Sequence, residues 1–271
     1  MFSVQNIDSF ELPELQPYRT MRRQHEHRQE GIFVAEGEKV VRRLLESRFK
    51  VVSVLLPEKW LRNLEPLLHA RTEEVRVFVA EKKLLETLTG FSMYQGLLAV
   101  GQVPPAPSLA EILARAPRPY LLAAVDSLSS AENLGALVRN CAAFNVQALL
   151  VGETSTSPYL RRAVRSSMGT IFQLPVLESA NLAATLQELR GRGIRCVAAH
   201  PHVDGRTISG TDFKGDTCVV FGSEGYGLSP AVLAACDDAA AIPMPLVVDS
   251  LNVGSAAAVF LYEASRQRGR M

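Results

Sequence analysis

Residues 217–229 read TCVVFGSEGYGLS. The run from Thr217 to Phe221 then breaks into three glycines, Gly222, Gly225 and Gly227, that bracket Glu224. An unbroken apolar run of this length describes a strand buried on both faces, as in parallel sheets covered by helices. Glycine at that density lets backbone approach a ligand closely. The spacing is G-x-x-G-x-G with no Gly-Lys-Ser/Thr, so it is not a Walker loop. Ligands of parallel sheets bind in loops at the carboxyl ends of strands. An acid inside such a loop makes it the first candidate site.

Working outward, the same rhythm recurs. Residues 120–125 (YLLAAV), 147–151 (QALLV), 194–199 (IRCVAA) and 239–242 read as further strands. Helices are expected over 133–144, 181–192, 229–236 and 252–266, and another opens at Ser157-Pro158, with Ser as cap and Pro at the first helical position. Residues 1–103 show a smaller alternation, with helices over 38–47, 57–70 and 81–88 and strands over 50–56, 75–79 and 96–103. Pro104, Pro105, Pro107, Pro117 and Pro119 surround one short helical pattern, and prolines stiffen a chain and remove donors. The expected organisation is therefore an α/β domain over 1–103, a linker over 104–118, and a larger α/β domain with a mostly parallel sheet over 119–271.

The 271 residues are 47% hydrophobic and 21% charged, which excludes a disordered, collagen-like or long coiled-coil chain. Twenty-nine basic against 28 acidic side chains leave a formal charge of +1, so any nucleic-acid surface must be local. No apolar run reaches the ~18 residues of a membrane span. The N-terminus lacks a cationic start and apolar core, and the reading is a cytoplasmic protein. Cys141, Cys196, Cys218 and Cys236 form no C-x-x-C pair and read as core residues. The His25/His27 and His200/His202 pairs lack acidic or Cys partners at ligand spacing, so no metal site is expected.

Two more loops carry polar residues. After the strand at 120–125 comes DSLSSAENLGALVRNCAAF, with Asn133 and Gly135 at a helix start and Arg139 on the helix. A helix N-terminus favours an anion, although an Asn cap and a solvated Arg would look the same. The segment lacks the G-x-G-x-x-G of a dinucleotide turn. Before the last helix comes IPMPLVVDSLNVG, with Asp249, Ser250 and Asn252. The following small residues, Gly254 to Ala258, allow close approach by another element or by a second copy of the chain. Local positive charge is offered by Arg161, Arg162 and Arg165, by Arg19, Arg22, Arg23 and Arg28, and by Arg266, Arg268 and Arg270. Solvated faces are the plain alternative for each group; phosphate contact is favoured for Arg161, Arg162 and Arg165.

Taken in order, the three loops resemble the motifs of the SpoU/TrmH family of RNA 2′-O-ribose methyltransferases. The N-L-G-x-x-x-R pattern is Asn133-Leu134-Gly135 through Arg139; the G-x-E-G-x-G-L-S pattern is Gly222 through Ser229; the third is Ile242-Pro243-Met244 followed by Ser250-Leu251-Asn252-Val253. Arg165, Ser167 and Gly169 also fit, and the match spans about residues 120–267. Ser223, Asp249 and Gly254 stand where Asn, Glu and Ser are frequent in the family. Residues 33–47 and 96–100 more loosely resemble a ribosomal-protein-like substrate-binding domain of some members.

The resemblance implies an α/β-knot (SPOUT) catalytic domain with a deep trefoil knot, a rare topology, and a homodimer with each site formed across two subunits. It implies S-adenosyl-L-methionine as cofactor, held around Gly222, Ile242 and Leu251. It assigns the chemistry to Asn133, Arg139, Glu224, Ser250 and Asn252, with RNA, rRNA ahead of tRNA, as substrate. A non-catalytic RNA-binding or ribosome-assembly factor on the same scaffold is the alternative of another class, and a nucleotide-dependent oxidoreductase lacks its fingerprint and its ribose-binding acid.

Overall fold

The computed structural model describes residues 1–89, 96–201, 206–245 and 247–269. The chain divides into two compact units: Met1–Pro105 with Tyr159–Phe172, and Ala106–Pro158 with Gln173–Met271.

The first unit is built on a sheet of β1 (Phe2–Ile7), β2 (Ile32–Glu36), β3 (Val51–Leu56), β4 (Val75–Ala80) and β5 (Leu98–Gln102), ordered β1-β4-β3-β5-β2. β1, β4 and β3 run parallel, and β5 is antiparallel to both β3 and β2. Helix Glu38–Glu46 covers it with Val40, Val41, Leu44 and Leu45, spaced to put all four on one face. β1 and β2 did not stand out in the sequence reading: β1 is a largely exposed edge strand, and β2 is a short buried run. The segment Tyr159–Phe172 joins this unit through its rings. Phe172 stacks on Phe33 with centroids 5.5 Å apart, and Tyr159 lies 6.0 Å from the same ring. Its helix is Arg161–Ser166, entered at Leu160 without a side-chain cap, not the Ser157-Pro158 start that the sequence predicts.

Among the described residues the second unit holds six strands, all paired in parallel: β6 (Leu121–Val125), β7 (Ala148–Val151), β8 (Val176–Glu178), β9 (Arg195–Ala199), β10 (Thr217–Phe221) and β11 (Asp238–Ala240). Their order is β11-β9-β10-β6-β7-β8. From β6 the chain steps outward to β7 and β8, then crosses to β9 on the far side of β10. β6 and β10 therefore flank the point where strand order reverses, the place at which open parallel sheets bind ligands. Helix Leu109–Arg115 falls within the expected linker, yet Leu109, Ile112 and Leu113 are buried in the core of this unit. Ser108 and Glu111 form a capping box that fixes its start. Arg268 closes the far end of the unit. Its guanidinium donates to the carbonyls of Phe213, Pro119, Tyr120 and Gly215 at 2.6–3.0 Å.

Candidate active site

Parallel pairing sets Val125 of β6 level with Phe221 of β10, so the loops that follow leave side by side. Asp126 ties them together. Its backbone N–H donates to Phe221 O at 2.9 Å, and its carboxylate accepts the Ser229 N–H at 2.7 Å. The loop 222–229 is thus fixed at both ends by one residue that is itself 4% exposed.

Inside that loop, Ser223 and Gly227 exchange two backbone hydrogen bonds of 2.9 Å, closing a tight hairpin. Gly222 sits beneath it; a Cβ there would lie 2.3 Å from the Gly227 carbonyl carbon, so no side chain fits. The hairpin presents Glu224 to the start of helix Ala131–Ala143. Asn133 Nδ2 donates to both Glu224 oxygens at 2.6 Å. Asn252 Nδ2 donates to Glu224 Oε1 at 2.6 Å and to Asn133 Oδ1 at 3.1 Å. Three residues from three distant segments form one bonded cluster.

Each asparagine is placed by its helix. Asn252 caps Val253–Gln267, its Oδ1 accepting the Gly254 N–H at 2.9 Å, while its amide reaches Glu224. Asn133 is not a cap: Ser130 caps Ala131–Ala143 and accepts the Asn133 N–H at 3.3 Å, which leaves the Asn133 amide free for the cluster. The two helices pack at Gly254, where a Cβ would come within 3.1 Å of Ala136 Cβ. Asn140 Nδ2 donates to Gly254 O at 2.6 Å and fixes the crossing.

Beside the cluster lies a cavity of about 310 Å³. Its walls come from the ends of β9 and β10, the 222–227 loop, Ile242, Met244, residues 249–251 and the first turns of the last helix. Phe221, Ile242, Met244, Leu251 and Phe260 supply an apolar surface, and Ser223, Glu224, Asp249 and Ser250 a polar edge. The volume sits at the lower end of small-molecule sites, and the mixture of apolar wall and few polar groups is the usual one.

Residues 120–262 match the SpoU rRNA methylase family, and this stretch spans all the loops that build the cluster and cavity. The chain belongs to that family. As a SpoU-class methyltransferase it is 32% identical over 240 residues to an uncharacterised tRNA/rRNA methyltransferase of Mycobacterium bovis, covering 87% of this chain and 81% of that one. The SpoU methyltransferase AviRb of Streptomyces viridochromogenes, solved with AdoMet bound, superposes with a TM-score of 0.81 at 26% identity, over 95% of this chain and 98% of that one. A structure of an RNA 2′-O ribose methyltransferase superposes with a TM-score of 0.78 at 26% identity, over 99% of each chain.

Of the residues singled out by sequence, Asn133, Glu224 and Asn252 come together, and Gly222, Ser250, Leu251 and Ile242 line the cavity. Among the described residues Arg139 is not part of this bonded cluster. It is exposed on helix Ala131–Ala143, and the Glu224 carboxylate is bonded to the two asparagine amides instead. Arg161 and Arg165 both ion-pair with Glu36, a carboxylate with only 10% of its side chain exposed, in the first unit. Arg162 is exposed on the same short helix.

The other basic groups are more occupied than their charge implies. Arg266 ion-pairs with Glu263 at 2.8 Å, and Arg268 serves the carbonyls named above. Arg23 pairs with Glu26 at 3.1 Å. Arg270 and His202 lie outside the described residues. Burial pushes the Cys141 thiol up and that of Cys236 up to about 12, which keeps both protonated and unreactive. Among the described residues no helix is long and apolar enough to cross a membrane.

Sequence reasoning missed Asp126, Ala199, His200 and Phe260, which position or line the site. Asp126 and His200 each follow directly on a strand. Position at a strand's carboxyl end was the available signal, and it becomes selective only once the strand order is known.

Proposed function

We propose that this chain is an S-adenosyl-L-methionine-dependent RNA methyltransferase that modifies a ribose 2′-hydroxyl, with rRNA as substrate ahead of tRNA. The observation that carries the reading is the bonded cluster of Asn133, Glu224 and Asn252 beside the apolar cavity. The cavity fits the cofactor by its chemistry. Gly222 leaves backbone without a side chain at one wall, Ile242, Met244 and Leu251 offer apolar surface for a nucleoside, and polar groups sit at one edge. Gly222, Ile242 and Leu251 would hold it. Bound there, S-adenosyl-L-methionine supplies an electrophilic methyl carbon on a sulfonium.

The protein's part is to orient the attacking oxygen and manage its proton. Asn133, Ser250 and Asn252 present side-chain donors and acceptors of the kind that fix a ribose and its phosphate. Glu224 holds the two amides in place as a fixed acceptor. A planar guanidinium offers paired donors that match phosphate, so Arg139 positions phosphate and stabilises charge in preference to removing the proton. The 2′-hydroxyl, absent from DNA, is itself the nucleophile and sets the choice of RNA.

The same reading gives the molecule a knotted second domain and a homodimeric, cytoplasmic state. The exposure of Arg139 leaves its guanidinium open to a second copy and supports a site completed by the Arg139 of that copy. The exposed Val247, Val248, Val259 and Tyr262 support a self-association surface on the same unit. In the first unit, which this reading makes the substrate-binding domain, Arg162 and Arg165 carry the phosphate contacts. Arg165 keeps 58% of its side chain exposed while bonded to Glu36. Calorimetry tests the reading: the chain binds S-adenosyl-L-methionine, and Arg139→Lys keeps that affinity while losing most turnover on unmethylated RNA. Absence of cofactor binding overturns the enzyme reading, and unchanged turnover in Arg139→Lys removes Arg139 from the mechanism.

A further inference from the structure

Tyr226 stands at the tip of the 222–229 loop with 97% of its surface exposed, a costly placement for an aromatic ring. Its backbone is nonetheless fixed. The Tyr226 N–H donates to Ser223 Oγ at 3.2 Å, and the two Ser223–Gly227 bonds close the hairpin around it. Gly227, in the left-handed region at φ +68, turns the chain back toward Leu228, whose side chain is buried. A firmly held backbone thus displays an unburied ring. Two residues away, Glu224 holds Asn133 and Asn252. Tyr226 is also part of the cavity rim. A ring so exposed gives the wall its backbone and leaves both aromatic faces open.

We propose that Tyr226 is a stacking platform for a nucleobase of the RNA substrate, at or next to the nucleotide whose ribose enters the site. The proposal rests on the RNA-methyltransferase reading and adds a substrate contact to it. The physical argument is one of fit. A ribose presented to the Asn133–Glu224–Asn252 cluster brings its base, or that of its neighbour, to the cavity mouth. An aromatic face there takes any base, because every base has a π-face, and the pre-set hairpin loses little freedom on binding. Such a contact strengthens RNA binding without altering how the cofactor is held.

The test uses the full chain, with and without S-adenosylhomocysteine, and two fluorescent probes: a short oligoadenylate and an abasic ribose-phosphate oligomer of equal length. Tyr226→Ala weakens oligoadenylate binding about tenfold or more, Tyr226→Trp retains it, and neither changes binding of the abasic probe. Affinity for S-adenosyl-L-methionine by calorimetry and sedimentation behaviour stay as in the parent. Oligoadenylate binding that is no tighter than abasic binding in the parent overturns the proposal, as does equal loss with both probes in Tyr226→Ala. A fall only in cofactor affinity would make the ring a cofactor lid, and dissociation of a dimer would make it a subunit contact; either result overturns the platform. Loss of cofactor binding by the parent itself, with base-dependent oligoadenylate binding intact, would instead remove the enzyme reading and leave the platform standing.

Discussion

The Glu224 carboxylate and the Asn252 amide meet at 2.6 Å, joining the loop after β10 to the cap of the last helix. The same carboxylate takes both of its remaining short bonds from Asn133. Glu224→Gln replaces one acceptor oxygen with a donor that faces two donating amides, so the cluster must rearrange. Because Glu224 is exposed, the rearranged amides can turn to water, and the stability cost stays at about 1 kcal/mol. Turnover on RNA falls at least about tenfold, the scale of losing one charge-assisted hydrogen bond. Steady-state methyl transfer together with a urea titration separates the two effects.

Asp126 makes the second link, holding Phe221 and Ser229 at opposite ends of the same loop. Asp126→Asn keeps the shape but sets an amide donor or a weaker acceptor against the Ser229 N–H. A buried acceptor lost in this way costs about 1–3 kcal/mol. Cofactor affinity measured by calorimetry drops along with stability, and loop residues 222–229 lose hydrogen-exchange protection before the rest of the unit.

The proposed sharing of the site between two copies makes a specific prediction for Arg139. If the site is shared in a two-fold dimer, mixing the impaired Arg139→Lys and Glu224→Gln chains raises activity above that of either alone. Random pairing gives about half mixed dimers with one intact site each, hence about a quarter of parent activity. A site completed within one chain gives no restoration on mixing.

Arg268 donates to four carbonyls on two separate stretches of the second unit, 119–120 and 213–215. Arg268→Met keeps much of the stem and leaves those carbonyls without the guanidinium. Destabilisation by about 2–4 kcal/mol is expected, read from the urea midpoint of that unit.

The first unit has an acid-sensitive joint. Burial raises the Glu73 carboxyl, but hydrogen bonds from Arg71 and from the Val51 N–H outweigh it and bring the group down from 4.5 to about 2. Arg71 in turn donates to the carbonyl of Leu45 in the last turn of helix Glu38–Glu46 and to those of Ser47 and Phe49 just after it. A carboxyl with a lowered folded-state pKa stabilises the fold above its unfolded pKa. That contribution is present above about pH 4.5 and is lost as pH falls toward about 2. Glu73→Gln flattens the stability–pH curve in that window, followed by far-UV circular dichroism.

The parallel sheet of the second unit was legible because its strands are continuous apolar runs, such as 217–221, and because its helices carry their own caps at Asn181 and Asn252. The site residues Asn133, Glu224 and Asn252 were legible as motifs. Their mutual bonding was not, since it depends on β6 and β10 being neighbours across 91 residues of intervening chain. The assignment of residues 159–172 to the first unit was hidden for the same reason: Tyr159 and Phe172 read as ordinary apolar positions until Phe33 is known to face them. Arg161 and Arg165 read as phosphate contacts, and Arg268 as tail charge, because Glu36 and the strand-end carbonyls that engage them are far away in sequence.

The most direct test of the whole account is the chemical position of the transferred methyl. The chain is incubated with methyl-labelled S-adenosyl-L-methionine and unmethylated 16S, 23S and transfer RNA transcripts, and the products are digested with alkali. A 2′-O-methyl group blocks cleavage at its own phosphodiester, so the account predicts label confined to one alkali-resistant dinucleotide, and most of it lost with Arg139→Lys. Label on a base, in mononucleotides that alkali releases normally, would contradict it.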